Sequence, residues 1–150
     1  MKKYIIYARV ASRNQTHRNS SITSQIEMLK ALALKHDVEV ADVYAELGSA
    51  NKIRNEFNQM MDKLFNDEAD GILCMSLDRL SRNHSDFQKI ALAIDTKGIQ
   101  IITPTQVYNS DQGKKFLMNL ELAINLFSKE LISQRIKDGL RRKGGEKHED

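Results

Sequence analysis

The sequence has little cysteine and proline, and it lacks any long hydrophobic run. Its 150 residues include one cysteine, Cys74, and one proline, Pro104. A single cysteine excludes a disulfide framework and a cysteine-rich metal site, and its position inside an apolar run predicts a small core residue. No apolar run approaches the ~20 residues that a membrane span requires. These absences predict a cytoplasmic protein without a membrane segment.

Signals for a metal, a nucleotide or secretion are also missing. The four histidines are scattered, without the spacing of a metal site. No glycine-rich phosphate loop follows any apolar run, which argues against a nucleotide-binding domain. The Met-Lys-Lys start leads into a short apolar run with no cleavage signal after it, so a secretory leader is not expected. The sequence therefore predicts no metal and no cofactor.

The charged residues are abundant, and the basic ones are clustered. Charged residues make up 29% of the chain and hydrophobic residues 41%, as in ordinary globular domains. The formal net charge is +3, which permits an anionic partner without requiring one. A basic helix near the chain end is more often a solvated face, so the clusters are supporting evidence only. They comprise Arg9, Arg13 and Arg18, then Arg79 and Arg82, then Arg135, Lys137, Arg141, Arg142 and Lys143.

Strand-like apolar segments alternate with amphipathic helical segments along the chain. Residues 46–54 contain glycine, serine and asparagine and read as a flexible loop. The alternation predicts an α/β fold with a mostly parallel central sheet and helices on both faces. The predicted strands are 4–10, 38–44, 71–76 and 99–103, and the predicted helices are 21–36, 57–65 and one that begins near residue 85.

A long helix is predicted over residues 113–140. This stretch has no proline and no internal glycine before Gly139, and its apolar residues form a wide band. A helix of roughly 25 residues exceeds what the sheet of a small domain can cover. Such a band usually needs a second partner, so we expect a homodimer formed through this helix. The alternative is a helix that folds wholly onto its own domain.

The segment Leu77-Asp78-Arg79-Leu80-Ser81-Arg82 directly follows the third predicted strand. The carboxyl ends of strands are where α/β proteins place their chemistry. If the segment is helical, Arg79 and Arg82 share a face, and two guanidinium forks on one face suit a phosphate. The alternative is a solvated turn whose charges pair with each other.

Taken in order and at their spacing, the motifs of the chain resemble the catalytic domain of the serine recombinases, the resolvase and invertase family of site-specific DNA recombinases. The resemblance runs from about Tyr4 to Gly139. It rests on Tyr7-Ala8-Arg9-Val10 with Gln15, Ser21-Ile22 with Gln25, Glu46 with Gly48 and Arg54, Asp70 eight residues before Asp78, the segment from Leu77 to Arg82, and Glu130-Leu131-Ile132 with Arg135 and Gly139.

This resemblance implies an enzyme that cuts and rejoins double-stranded DNA without a metal. A serine hydroxyl attacks the phosphodiester, forms a 5′-phosphoserine link and frees a 3′-hydroxyl, and the covalent link conserves the bond energy for rejoining. The family's long helix forms a dimer, and dimers assemble into a tetramer in the synaptic complex. By resemblance, Arg9, Arg54, Arg79 and Arg82 bind the phosphate, Asp78 orients an arginine or moves a proton, and Gln15, Gln25, Glu46 and Asp70 support the phosphate site or its loops.

The chain departs from the family at the nucleophile. The family's serine directly follows Arg-Val and lies four residues before Gln15, and here that position is Ala11. One hypothesis is that Ser12, one residue later, is the nucleophile, since a loop can absorb such a shift. The other is an inactive recombinase-like domain that dimerises and assists DNA binding. Other hydroxyls that remain open are Ser20, Ser21 and Ser49.

Residues 1–143 are expected to form the catalytic domain and residues 144–150 a tail, with the DNA-binding domain absent from this chain. The sequence indicates neither the DNA target nor whether the reaction is resolution, inversion or integration. A flavodoxin-like signalling or nucleotide-binding domain is a weaker alternative. It accounts for the alternating strands and helices but leaves the arginines unexplained.

Overall fold

The computed structural model describes residues 1–10, 21–48, 55–80 and 84–111, together with residues 119 and 123. Strands and helices alternate through this part of the chain, as the sequence pattern predicts. The elements are β1 (Lys3–Val10), α1 (Ile22–Lys35), β2 (Glu39–Leu47), α2 (Asn55–Phe65), β3 (Gly71–Leu73), α3 (Leu77–Leu80), α4 (His84–Lys97), β4 (Gln100–Ile102) and β5 (Val107–Tyr108).

The strands form one sheet in the order β2-β1-β3-β4-β5. The first four strands run parallel, and β5 pairs antiparallel with β4. The mostly parallel α/β fold predicted from the sequence is thereby confirmed. The pattern missed β5, which has two residues and returns along β4 after a turn in which the Thr103 hydroxyl accepts from the Gln106 N–H at 3.0 Å.

Helices cover both faces of the sheet, as predicted. Successive strand residues point to opposite faces, so Ile5 and Tyr7 of β1 join one apolar cluster while Tyr4 and Ile6 join another. The first cluster is formed with α2 and α4, and the second is formed with α1. Cys74 lies fully buried in the first cluster, as expected of a core residue, and burial raises the pKa of its thiol to about 12.

Helix α1 begins and ends close to its predicted limits because its capping signals are local. The Ser21 hydroxyl accepts a hydrogen bond from the Ser24 N–H at 3.1 Å, as an N-cap does. Leu29, Leu32 and Ala33 face the sheet. At the other end the His36 N–H donates to the Leu32 carbonyl, and Asp37 turns the chain with φ 56°.

Strand β2 contains a bulge that the sequence pattern shows only as an irregular alternation. Tyr4 of β1 pairs with Val40, but the next residue, Ile5, pairs with Asp42, so Ala41 is the extra residue. The strand continues to Leu47. Placing Glu46 in the 46–54 loop was therefore wrong, because parallel pairing with β1 extends the strand beyond the apolar run.

The segment after β3 turns helical rather than remaining an open turn. Leu77 and Leu80 are buried, which fixes α3 against the sheet, and Asp78 and Arg79 lie between them partly exposed. In the long helix predicted over 113–140, only Asn119 and Ala123 are described, and both are helical. The rest of that helix, and the tail at 144–150, lie outside the described residues. No helix in the described part is long and apolar enough to cross a membrane.

Candidate active site

The strand order creates a crevice at the carboxyl ends of β1 and β3. The chain passes from β1 to β2 on one side and then crosses to β3 on the other side of β1. The connections diverge at this point, which is where open α/β sheets place their ligand sites. Arg9 near the end of β1, Glu46 near the end of β2, and α3 after β3 all come to this edge. A site at this edge was predicted from the sequence, because the segment from Leu77 to Arg82 directly follows the third predicted strand.

Arg9 lies almost fully buried beneath the crevice, with 5% of its surface exposed. Its guanidinium donates hydrogen bonds to three backbone carbonyls. Nε donates to Arg79 O at 3.1 Å, Nη1 to Gly48 O at 3.2 Å and Nη2 to Asp78 O at 2.9 Å. Carbonyl dipoles offset the cost of burying this permanent charge. Arg9 therefore ties α3 and the backbone of Gly48 to the end of β1.

Arg79 is differently placed, because its side chain is partly exposed at the crevice. Its Nη1 donates to the Arg9 carbonyl at 3.1 Å. Within the described residues this is the one hydrogen bond of the Arg79 guanidinium, so most of its five N–H donors remain for an external acceptor. The backbone N–H of Arg79 points at the Ser76 hydroxyl at 3.4 Å. Arg79 is the described cation best placed to meet an anion.

Gln25 reaches the same edge from α1 and is fully buried. Its amide brackets the backbone of Arg9, with Arg9 N donating to Oε1 at 3.3 Å and Nε2 donating to Arg9 O at 3.0 Å. These bonds supply Arg9 with a donor and an acceptor, as a neighbouring strand would. The Gln25 amide thus fixes the strand end that leads into residues 11–20.

Glu46 is buried on the same face of the sheet as Arg9, its register partner on β1. The Tyr7 hydroxyl donates a short hydrogen bond to Glu46 Oε2, and the Tyr7 ring packs edge-on against Phe57 with centroids 6.1 Å apart. A buried carboxylate requires such a partner. Tyr7 was not among the predicted site residues, because the hydroxyl of a strand tyrosine gives no local signal of what it will contact.

Asp70 does not join this group. It precedes β3, so it lies at the amino edge of the sheet, where its Oδ2 accepts from Lys3 N at 2.8 Å and its own N–H donates to Lys3 O at 2.7 Å. That edge is about 20 Å from the end of β1, since a strand rises about 3.3 Å per residue. The structure thus brings Arg9, Gln25, Glu46, Asp78 and Arg79 together and leaves Asp70 apart.

Four predicted site residues lie outside the described part of the chain. They are Ser12, Gln15, Arg54 and Arg82, and Ala11 is also outside it. Gly48, next to the undescribed residues 49–54, takes part through its carbonyl, which accepts from Arg9, and its N–H donates to Val10 O at 2.8 Å. Among the residues that are described, no three His, Cys, Asp or Glu side chains gather as a candidate metal site.

This arrangement suits the binding of an oxyanion. Arg79 offers a forked cation at the mouth of the crevice, and such forks match the geometry of phosphate oxygens. Arg9 and Gln25 hold the surrounding backbone fixed. Donors that are held in place in this way can stabilise developing negative charge without reorganising during a reaction.

Comparison with known proteins agrees with this assignment. The family model described as "Resolvase, N terminal domain" matches residues 4–148. A resolvase of Clostridium perfringens is 31% identical over 140 residues, which cover 90% of this chain and 68% of that protein. The crystal structure of the N-terminal catalytic domain of TP901-1 integrase is 30% identical, with a TM-score of 0.67, and the match covers 87% of this chain and 98% of that one.

A more distant structure shares the fold. A resolvase family site-specific recombinase from Streptococcus pneumoniae has a TM-score of 0.63 at 22% identity, and the match covers the whole of both chains. The family match spans nearly the whole length of the chain, including every element that builds the crevice. The chain therefore belongs to the resolvase family of serine site-specific recombinases, as an N-terminal catalytic domain.

Proposed function

We propose that this domain cuts and rejoins double-stranded DNA through a 5′-phosphoserine intermediate, without a metal. The observation that carries the proposal is Arg79, a partly exposed guanidinium whose backbone is tied to the end of β1. A phosphodiester under attack gains charge on its non-bridging oxygens, and preorganised arginines can meet that charge. Arg54 and Arg82 are proposed to complete the phosphate set with Arg79. Arg9, buried against the backbone of Arg79, is proposed as the fourth member of this set.

Ser12 is the proposed nucleophile. It follows β1 by two residues, and β1 ends at the crevice beside Arg79. Its hydroxyl would lose its proton as the oxygen attacks phosphorus, the bond from phosphorus to the 3′-oxygen would break, and the leaving oxygen would take up a proton. Asp78, which precedes Arg79 on α3, is proposed to orient an arginine or move that proton. Gln15, Gln25 and Glu46 are proposed to support the loops.

The test is a suicide DNA substrate, from which one cleaved fragment escapes so that the covalent intermediate accumulates. The intact protein should give a protein–DNA adduct, and digestion should map the nucleotide to the peptide that contains Ser12. Ser12→Ala should abolish the adduct, whereas the matched control Ser20→Ala should retain it. Absence of any adduct with the wild-type protein would count decisively against catalysis at Ser12.

A second candidate function rests on Ala11, which occupies the position of the family's serine. In that case the domain dimerises and assists DNA binding without cutting. Ala11→Ser distinguishes the two. If the domain is inactive only because the hydroxyl is missing, Ala11→Ser creates an adduct that the wild-type protein lacks. If Ser12 already serves, the wild-type protein forms the adduct unaided.

The proposed assembly follows from the long apolar band over 113–140. We propose that this helix pairs two copies of the chain and that two dimers form a tetramer around two DNA sites. Residues 1–143 are proposed as the catalytic unit, with recognition of the DNA sequence supplied by a separate DNA-binding domain. Analytical ultracentrifugation should give a dimer, and a charged substitution in the apolar band, Phe127→Glu, should give a monomer.

A further inference from the structure

Strand β2 lies at an edge of the sheet, with β1 as its only neighbour among the described strands. It has nine residues, Glu39–Leu47, and is longer than the roughly 5–6 residues of a typical strand. Ala41, Ala45 and Leu47 are exposed along it, and Leu47 keeps 45% of its surface. The outer N–H and carbonyl groups of such an edge form a template for pairing with another chain, and proteins block them with bulges or charges.

One hydrogen bond between β2 and β1 shows which amides of β2 face outward. The N–H of Gly48, directly after β2, donates to Val10 O on β1 at 2.8 Å. Backbone N–H groups alternate in direction along a strand, as its side chains do. The amides at every second position before Gly48 therefore face β1, and those between them point away from the sheet. The outward amides that follow the bulge are those of Val43, Ala45 and Leu47.

The outward N–H of Val43 already has a partner. It donates to Oδ1 of the preceding residue, Asp42, at 2.8 Å. The other oxygen of this carboxylate, Oδ2, accepts from the Lys63 ammonium on α2, and the Lys63 nitrogen lies 5.5 Å from the centroid of the Tyr44 ring. The Lys63 ammonium and the Val43 N–H hold the pKa of the Asp42 carboxyl below its ordinary value. The carboxylate is therefore ionised at neutral pH and occupies a central donor of the edge.

The exposure of this group suits a blocking role better than a stabilising one. The side chains of Asp42 and Lys63 are each 39% exposed, and ion pairs so exposed contribute little to stability. A strand that approached β2 would have to displace the Asp42 carboxylate before it could accept from the Val43 N–H. In a symmetric pairing of two β2 strands, each copy of the chain would meet this obstacle on the other.

We propose that the Asp42 carboxylate closes the outer edge of β2 to pairing with the β2 strand of a second copy of this chain. Lys63 holds the carboxylate in place, and the bulge at Ala41 interrupts the regular ladder directly before it. The blocked contact is separate from the dimer proposed through residues 113–140 and involves no DNA, so it does not depend on the proposed function. Removing the acceptor should let copies of the chain join through β2.

The first measurement is sedimentation velocity of the intact protein over a range of concentrations. Asp42→Val frees the Val43 N–H and should form larger assemblies at a concentration at least about ten-fold lower than the wild-type protein requires, because a symmetric pair gains two donors. Asp42→Asn loses the same charge but keeps an oxygen that can accept, and it should match the wild type. The exposed control Asp62→Val on α2 should match it too. A folded Asp42→Val variant that associates no more than the wild type would overturn the proposal.

The second measurement, hydrogen exchange, locates the contact in the associated Asp42→Val protein. The outward amides of Ala45 and Leu47 should exchange at least about ten-fold more slowly in the assembly than in dilute protein, because a paired strand then accepts from them. Association that leaves both amides unprotected would contradict the proposal, since the copies would then meet elsewhere. Asp42→Ala removes the same acceptor, and both measurements are made on it if Asp42→Val does not fold.

Discussion

The two edges of the sheet both hold polar clusters, but they are built in opposite ways. At the carboxyl edge, buried Arg9 and partly exposed Arg79 exchange hydrogen bonds with each other's backbone. At the amino edge, Asp70 and Lys3 pair through their backbones and one carboxylate. Beside them the Tyr4 hydroxyl donates to Gln100 Oε1 at 2.5 Å. The cluster at the carboxyl edge includes the partly exposed guanidinium of Arg79. The polar groups named at the amino edge bond to one another within the sheet.

The difference shows how strand direction decides what a charged residue can do. Asp70 and Asp78 are eight residues apart and flank the same strand, yet Asp70 precedes β3 and Asp78 follows it. In a parallel sheet, residues that follow strands gather at one edge and residues that precede them gather at the other. A charged residue in a family motif therefore belongs to the crevice only if it lies on the carboxyl side of its strand.

The largest expected effect is on the rate of DNA cleavage, compared between one substitution at each edge of the sheet. Arg79→Ala should lower the rate of cleavage by about 10³-fold, because a preorganised cation at the crevice is lost. Asp70→Asn, about 20 Å away at the amino edge, should leave the rate within about two-fold. Adduct formation on a suicide substrate measures both variants. An equal loss of cleavage rate in both variants would contradict the assignment of catalysis to the carboxyl edge alone.

A second prediction concerns packing at the amino edge. A Cβ on Gly71 would collide with the Gln100 carbonyl and the Tyr4 ring, so Gly71→Ala should lower the free energy of unfolding by about 3 kcal/mol. The control Gly98→Ala has open space but a φ of 65°, and it should cost about 1 kcal/mol. Urea denaturation measures both. A Gly71→Ala variant no less stable than Gly98→Ala would contradict the close packing described here.

A third prediction concerns Gln25, a neutral residue at the carboxyl edge. Gln25→Leu keeps the shape of the side chain but leaves the Arg9 N–H and carbonyl without the bracketing amide. We expect a loss of about 2 kcal/mol in stability, since two buried hydrogen bonds are lost while the Arg9 carbonyl keeps the one from the Arg79 guanidinium. The exposed control Gln88→Leu on α4 should change stability by less than about 0.5 kcal/mol. Chemical denaturation of both variants decides whether the bracket stabilises the fold.

The smallest effect is a pH dependence at the amino edge. Burial, with a smaller contribution from the charge of Asp70, raises the pKa of Tyr4 to about 12 from an ordinary value of 10.0. The stability that depends on the neutral phenol is therefore complete below pH 10 and is lost as the pH rises toward 12. Between pH 10 and 11 the loss should be about 1 kcal/mol. Tyr4→Phe should lack this component of the slope, which denaturation at several pH values would show.

Local patterns predicted the elements of this fold better than their arrangement. The limits of α1 were predictable because Ser21 and the apolar stripe are read within a few residues. The strand order, and hence the position of the crevice, is set by packing between distant segments. The same holds for Arg9, whose three carbonyl partners lie 39, 69 and 70 residues away. A basic residue near the end of an apolar strand suggests contact with an anion. No neighbouring residue in the sequence indicates that the Arg9 side chain is buried.

The bulge in β2 has a consequence for insertions and deletions. Val38 and Val40 precede it and pack with α1, while Tyr44, after it, packs with α2 and α4. Ala41 is unpaired, whereas Val40 already lies opposite Tyr4 and Asp42 opposite Ile5, so removing Ala41 would leave these pairings and the face of every following residue unchanged. Glu46 would remain on the side of the sheet that holds Tyr7 and Arg9. The bulge thus gives β2 one residue that can be lost without a shift of register at the crevice.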